Sequence, residues 1–124
     1  MNIRAINHVQ LAFPARLGAQ VLHFYGSLLG LTQLLYPAGP TLRFMVGGQR
    51  VDLVPIQNDA TSPPAAHLAL EVDDLPQLRH RLQRHSLTLD ESRPLPGYRR
   101  FYVKDPADNW LEFLELDTSE PTKS

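Results

Sequence analysis

Hydrophobic and polar residues alternate along several short stretches of the chain. From Arg4 to Phe13, Val9, Leu11 and Phe13 fall on one side and His8, Gln10 and Ala12 on the other, the signature of a half-buried strand. Pro14 closes it. Apolar residues then switch to helical spacing at Val21, Phe24, Tyr25, Leu28 and Leu29. This predicts an amphipathic helix with Leu17 near its start and Gly30 at its left-handed exit. Three strands follow, over 31–36, 41–46 and 49–56, with Gly47-Gly48 as the hairpin signal between the last two. Residues 57–64 are polar and proline-rich and read as a linker.

The order then restarts. Residues 66–72 alternate, with Leu68, Leu70 and Val72 opposed to His67, Ala69 and Glu71. Asp73 or Asp74 can cap a helix carrying Leu75, Leu78 and Leu82, with Pro76 confined to its first turn. Strands are expected over 87–89, 98–104 and 110–116, with Asp105 to Asn109 as a turn, and the polar tail 118–124 reads as disordered.

The pattern is βαβββ, linker, βαβββ, and it is a repeat. HVQLAFP from His8 matches HLALEVD from His67, 59 residues on; RVDLVPI matches WLEFLEL, placing Asp52 and Glu112 60 residues apart. A duplicated module is the simplest cause. The expected fold is therefore α+β, one domain over 1–124. Module one spans 1–57, a linker 58–64 and module two 65–117, together forming a cup-shaped mixed sheet with helices on the convex face.

Composition narrows the class. The 124 residues carry 43% apolar and 20% charged residues, as in an ordinary globular domain. Twelve basic against thirteen acidic residues leave a net charge of −1, without the basic excess of a nucleic-acid binder. Cysteine is absent, which removes disulfides, thiolate zinc sites and thiol catalysis. No signal-peptide pattern and no 18-residue apolar run are visible, so a cytoplasmic protein without membrane association is expected.

The repeat superposes His8 on His67 and Asp52 on Glu112, each flanked by apolar neighbours that should face the helices. The four polar side chains should then share the opposite face. Two imidazoles and two carboxylates suit a divalent cation such as zinc, nickel, iron or manganese, leaving positions for water or substrate. By the same parity Gln10, Arg43, Arg100, Tyr102 and Trp110 face the cavity, and two arginines there suit an anionic substrate. His23, His80 and His85 have no such support and read as surface residues. Ser27, Ser62, Ser86 and Ser92 sit in no nucleophile elbow.

Four segments carry a family resemblance: INHVQLAFP, FYGSLLGL, HLALEVDDL and RRFYVKDPADNWLEFLE. Together they resemble the vicinal oxygen chelate superfamily of glyoxalases, extradiol dioxygenases, fosfomycin thioltransferases and bleomycin-resistance proteins. The last segment is the most specific, a DPxGN-type turn before a metal-binding Glu strand, with Asp108 in place of glycine. The resemblance implies paired βαβββ modules, metal ligands at His8, His67 and Glu112, and a homodimer. Asp52 falls where glyoxalase I has a fourth carboxylate ligand, one methylene shorter. The three-ligand and four-ligand sets both stay open. So does a role for Glu112 or Asp52 as catalytic base. The implied function is a metal-dependent lyase, isomerase or dioxygenase that chelates vicinal oxygens of a small substrate. The alternative is a metal-free, ligand-sequestering protein of the bleomycin-resistance kind.

Overall fold

The structure is a computed structural model that describes residues 2, 5–57 and 67–117. The expected linker 58–64 and tail 118–124 lie outside the described residues. Contacts divide the chain into two compact units: Met1–Pro63 with Asp105–Asn109, and Pro64–Lys104 with Trp110–Ser124.

In the first unit, β1 (His8–Pro14) runs parallel to β4 (Gln49–Ile56), which pairs antiparallel with β3 (Leu42–Val46), and β3 with β2 (Thr32–Leu34). The order is β1-β4-β3-β2. Alternation along β1 and β4 buries Phe13, Val51 and Leu53. The expected helix bears its apolar stripe as read, with Val21, Phe24, Tyr25 and Leu28 buried, but its backbone changes pitch twice. A 3₁₀ turn (Ala15–Leu17) leads into α1 (Gly18–Leu22), which widens into a π-helical turn (His23–Leu28). There Leu29 N–H donates to Phe24 O, five residues back. Tyr25 stacks on Phe44 at 5.6 Å, fixing this segment on the apolar face of the sheet. Gly30 leaves the helix at φ 73°, the conformation the sequence required of it.

In the second unit, β5 (His67–Glu71) runs parallel to β7 (Trp110–Leu116), which pairs antiparallel with β6 (Tyr98–Lys104). The order β5-β7-β6 repeats β1-β4-β3. The helix α2 (Leu75–Arg84) is capped by Asp74, whose Oδ1 accepts from Gln77 N–H, with Pro76 in its first turn. Leu75 and Leu82 are buried beneath it, each such burial worth about 1.5–3 kcal/mol. Glu115 of β7 adds a second cap by accepting from the N–H groups of Asp74 and Leu75.

One element differs from expectation. Residues 87–89 form no strand. Pairing is reduced to one bridge, in which Asp90 and Tyr102 exchange both backbone hydrogen bonds at 2.8 and 2.9 Å. Ser86 has a left-handed backbone (φ 63°), and past Asp90 the Asp90 side chain holds Ser92, turning the chain away from β6. The whole is a mixed α+β protein with two small sheets. Among the described residues no helix is long and apolar enough to cross a membrane.

Candidate functional site

In the first unit the register places Gln10 of β1 and Arg43 of β3 on either side of Asp52, and His8 beside Arg50. Period-two geometry sends the Arg50, Asp52 and Arg43 side chains to the face opposite Val51 and Leu53. Asp52 is only 5% exposed. Arg50 grips it as a fork, Nε to Oδ1 at 2.6 Å and Nη2 to Oδ2 at 3.0 Å. The bond to Asp52 raises the Arg50 pKa above its usual value. Arg43 Nε stands 4.0 Å from Oδ2, and its Nη1 donates to the Pro37 carbonyl. Both oxygens of Asp52 are thus already engaged by a cation. His8 and Gln10 are exposed, and the His8 ring meets the Asn7 side chain at 2.8 Å.

In the second unit the equivalent carboxylate, Glu112, is also 5% exposed. His67 Nε2 lies 3.0 Å from its Oε1, and Arg100 Nη1 donates to its Oε2 at 3.1 Å. Arg100 Nε also donates to the Arg93 carbonyl at 2.7 Å. The Tyr102 ring meets His67 edge-on at 5.4 Å and Trp110 at 6.5 Å. Arg100 and Arg93 stand over the Tyr102 ring, and Lys104 over Trp110. A cavity of about 50 Å³ is lined by His67, Asp90, Arg93, Tyr102 and Trp110.

The fit to a divalent metal differs between the carboxylates. Two donors each about 2.1 Å from one cation and at right angles to it are roughly 3.0 Å apart. His67 Nε2 and Glu112 Oε1 have that separation, with Arg100 on the far oxygen aiming the near one. Asp52 has no such open oxygen. Among the described residues no three His, Asp or Glu groups gather as a metal-holding cluster. His23, His80 and His85 are exposed, as expected.

Arg50, Asp90 and Arg93 are functional neighbours that the sequence expectations do not include. The i, i+2 spacing within a strand is the signal that puts Arg50 and Asp52 on one face. Asp90 and Arg93 lie where a strand was expected to end and a loop to begin, and only the Asp-x-Ser pattern signals the turn.

The DPADN turn is explained by the first unit. Asp105 Oδ1 accepts from the N–H groups of Ala107 and Asn109, and Oδ2 from Tyr25 Oη at 2.7 Å and Asn109 Nδ2. Asn109 Nδ2 reaches on to the Ala12 carbonyl. Asp108 takes the left-handed backbone (φ 64°) in which glycine is the easiest residue. Burial pushes the Asp105 carboxyl up and the hydrogen bonds oppose it; burial, then the charge of Asp105, pushes the Tyr25 phenol well above its usual value.

Comparison with known proteins points one way. A family model for the Glyoxalase/Bleomycin resistance protein/Dioxygenase superfamily matches residues 5–113. A glyoxalase family protein from Bacillus anthracis is 28% identical with a TM-score of 0.83, covering 94% of this chain and 98% of its own. Lactoylglutathione lyase from Agrobacterium tumefaciens is 20% identical with a TM-score of 0.73, covering 93% and 96%. An antibiotic-binding protein, TnmS3, from a Streptomyces species is 20% identical with a TM-score of 0.75, covering 94% and 99%. The last two share the fold alone. The search of curated proteins finds no match.

Proposed function

The chain belongs to the glyoxalase/bleomycin resistance protein/dioxygenase superfamily, and from that premise we propose a metal-dependent enzyme acting on a small oxygen-bearing substrate. The observation that carries the reading is the His67–Glu112 pair, 3.0 Å apart on the face that also bears Tyr102 and Trp110. In this reading His67 and Glu112 are ligands, and His8 completes the set by the sequence repeat, leaving the two-His, one-carboxylate arrangement. The candidate metals are zinc, nickel, iron and manganese. Such a cation supplies Lewis acidity toward neighbouring substrate oxygens.

The protein's own groups divide the remaining work. Arg100 fixes the Glu112 carboxylate and compensates its charge. Tyr102 and Trp110 wall the substrate side and exclude water. Asp52 is neither ligand nor base in this reading, because Arg50 holds both its oxygens. The two-module division at residues 58–64 belongs to the same reading.

Competitive metal titration of protein purified without a histidine tag tests it. Glu112→Gln should weaken metal binding more than about 100-fold. Asp52→Asn should change it by less than tenfold, short of the 10–100-fold usual for an outer partner, because Arg50 rather than a ligand holds Asp52. Equal loss in both variants would restore Asp52 as a fourth ligand. If the wild type binds no metal, the sequestering alternative takes its place. That reading draws on the aromatic lining of the cavity, where Tyr102 and Trp110 meet edge to face.

A further inference from the structure

The sequence assigned substrate charge recognition to Arg43 and Arg100, and both donate hydrogen bonds within the protein. Arg43 donates to the Pro37 carbonyl, with Asp52 at 4.0 Å, and Arg100 donates to Glu112 and to the Arg93 carbonyl. The guanidinium that lines the cavity is that of Arg93. Its side chain is 63% exposed, and among the described residues its charge partner is Asp90, at 3.9 Å, beyond hydrogen-bonding distance. It stands over the Tyr102 ring at 5.6 Å.

The backbone that presents Arg93 is held on both sides. Asp90 is locked to Tyr102 by two backbone hydrogen bonds, and the Arg93 carbonyl receives Arg100 Nε at 2.7 Å. Of the acidic groups nearby, Glu112 is shared by His67 and Arg100; Asp90 Oδ1 accepts from Ser92 N–H and Ser92 Oγ, and its Oδ2 is the oxygen that stands 3.9 Å from Arg93. A positioned fork with unused donors therefore faces an aromatic-walled cavity with an imidazole on its wall. The cavity, about 50 Å³, is far below the ~300–1,000 Å³ of drug-sized sites and suits a group of a few heavy atoms.

We propose that Arg93 is the anion-recognition residue of this cavity, and that its ligand is a small carboxylate of a few heavy atoms. The carboxylate takes the Arg93 fork in place of the distant Asp90, and its short carbon skeleton rests against Tyr102 and Trp110. The proposal rests on the substrate side of the function proposed above and narrows it to a class.

Trp110, the single tryptophan of the chain, lines the cavity and reports occupancy by its fluorescence. The as-purified protein is titrated with lactate and with its neutral amide, lactamide, and the metal affinity of the same samples is measured separately. Lactate should bind saturably and lactamide at least about tenfold more weakly, the discrimination expected of one charge-assisted fork. Arg93→Gln should weaken lactate by about tenfold or more and leave lactamide and metal affinity unchanged; Arg93→Lys should fall between. Arg84→Gln, an exposed charge on α2, should bind as wild type does. Equal lactate affinity in Arg93→Gln and wild type overturns the proposal. So does an equal loss in Arg84→Gln, or a wild type that gives no saturable response. A failure of the metal-dependent reading would appear instead as absent metal binding in every sample, with the Arg93 dependence of lactate intact.

Discussion

Replacing Asp105 by asparagine tests what holds the turn between β6 and β7. The carboxylate is 3% exposed and accepts four hydrogen bonds, two on each oxygen. An amide keeps one acceptor. If its oxygen retains the N–H groups of Ala107 and Asn109, its NH₂ must face Tyr25 Oη and Asn109 Nδ2. The Tyr25 hydroxyl can rotate and accept. Asn109 Nδ2 cannot, and it loses its bond to that oxygen while keeping the one to the Ala12 carbonyl. One buried donor–donor contact and the loss of charge on the remaining bonds should cost about 2–3 kcal/mol. At roughly 4 °C per kcal/mol for a chain of this length, the midpoint should fall by about 8–12 °C.

The pH dependence of that difference carries a sign of its own. Burial raises the folded-state pKa of Asp105 above the unfolded value of about 3.9. A group raised in this way contributes stability fully below its unfolded pKa and loses it as pH rises through the folded value. The asparagine variant lacks the titration, so the gap between wild type and variant should widen on acidification over that window. Urea denaturation of both proteins at several pH values reads the gap directly, since every other group cancels in the difference. A loss under about 0.5 kcal/mol would show that the four hydrogen bonds do not hold the turn; a gap that narrows on acidification would show that they, and not burial, set the direction of the shift.

Glu115 should behave in the opposite sense. The N–H groups of Leu75 and Asp74 hold its pKa below the usual carboxylate value, so its contribution is present above about 4.3 and lost as pH falls through the lowered folded value. The stability difference between wild type and Glu115→Gln should accordingly shrink in acid, and a difference that grows would contradict the cap. A homodimer is expected from the outer strands β1, β2, β5 and β6 and from the exposed Leu35 and Tyr36. Light scattering should give twice the 14.0 kDa chain mass, and a 14.0 kDa particle across a wide concentration range refutes it.

What could be read from the sequence followed from periodicity, because each half-buried strand must bury every second residue. Val9 against His8, Leu53 against Asp52 and Leu111 against Glu112 needed nothing beyond the pleat. The repeat added register, since residues at equal offsets fall at equivalent places in β1-β4-β3 and β5-β7-β6. Parity assigns a face, however, and does not assign partners. Arg43 and Arg100 were read from their faces as substrate-binding cations, and whether each was free depended on a carboxylate brought beside it by a neighbouring strand. The helix shows the same boundary: burial of Val21, Phe24, Tyr25 and Leu28 follows from spacing, while the π turn arises where Leu29 N–H bonds to Phe24 O. The two carboxylates carry the lesson to function. Superposed by the repeat, Asp52 and Glu112 fall at equivalent places, and the sequence leaves open whether the shorter Asp52 is a ligand. Asp52 is gripped by a guanidinium two residues away on its own strand, and Glu112 has tryptophan at that position, so one imidazole can reach its oxygen. The substitution of Arg50 by Trp110 within an otherwise faithful repeat is what makes the two halves chemically unlike, and it directs the search for metal and substrate to the second module.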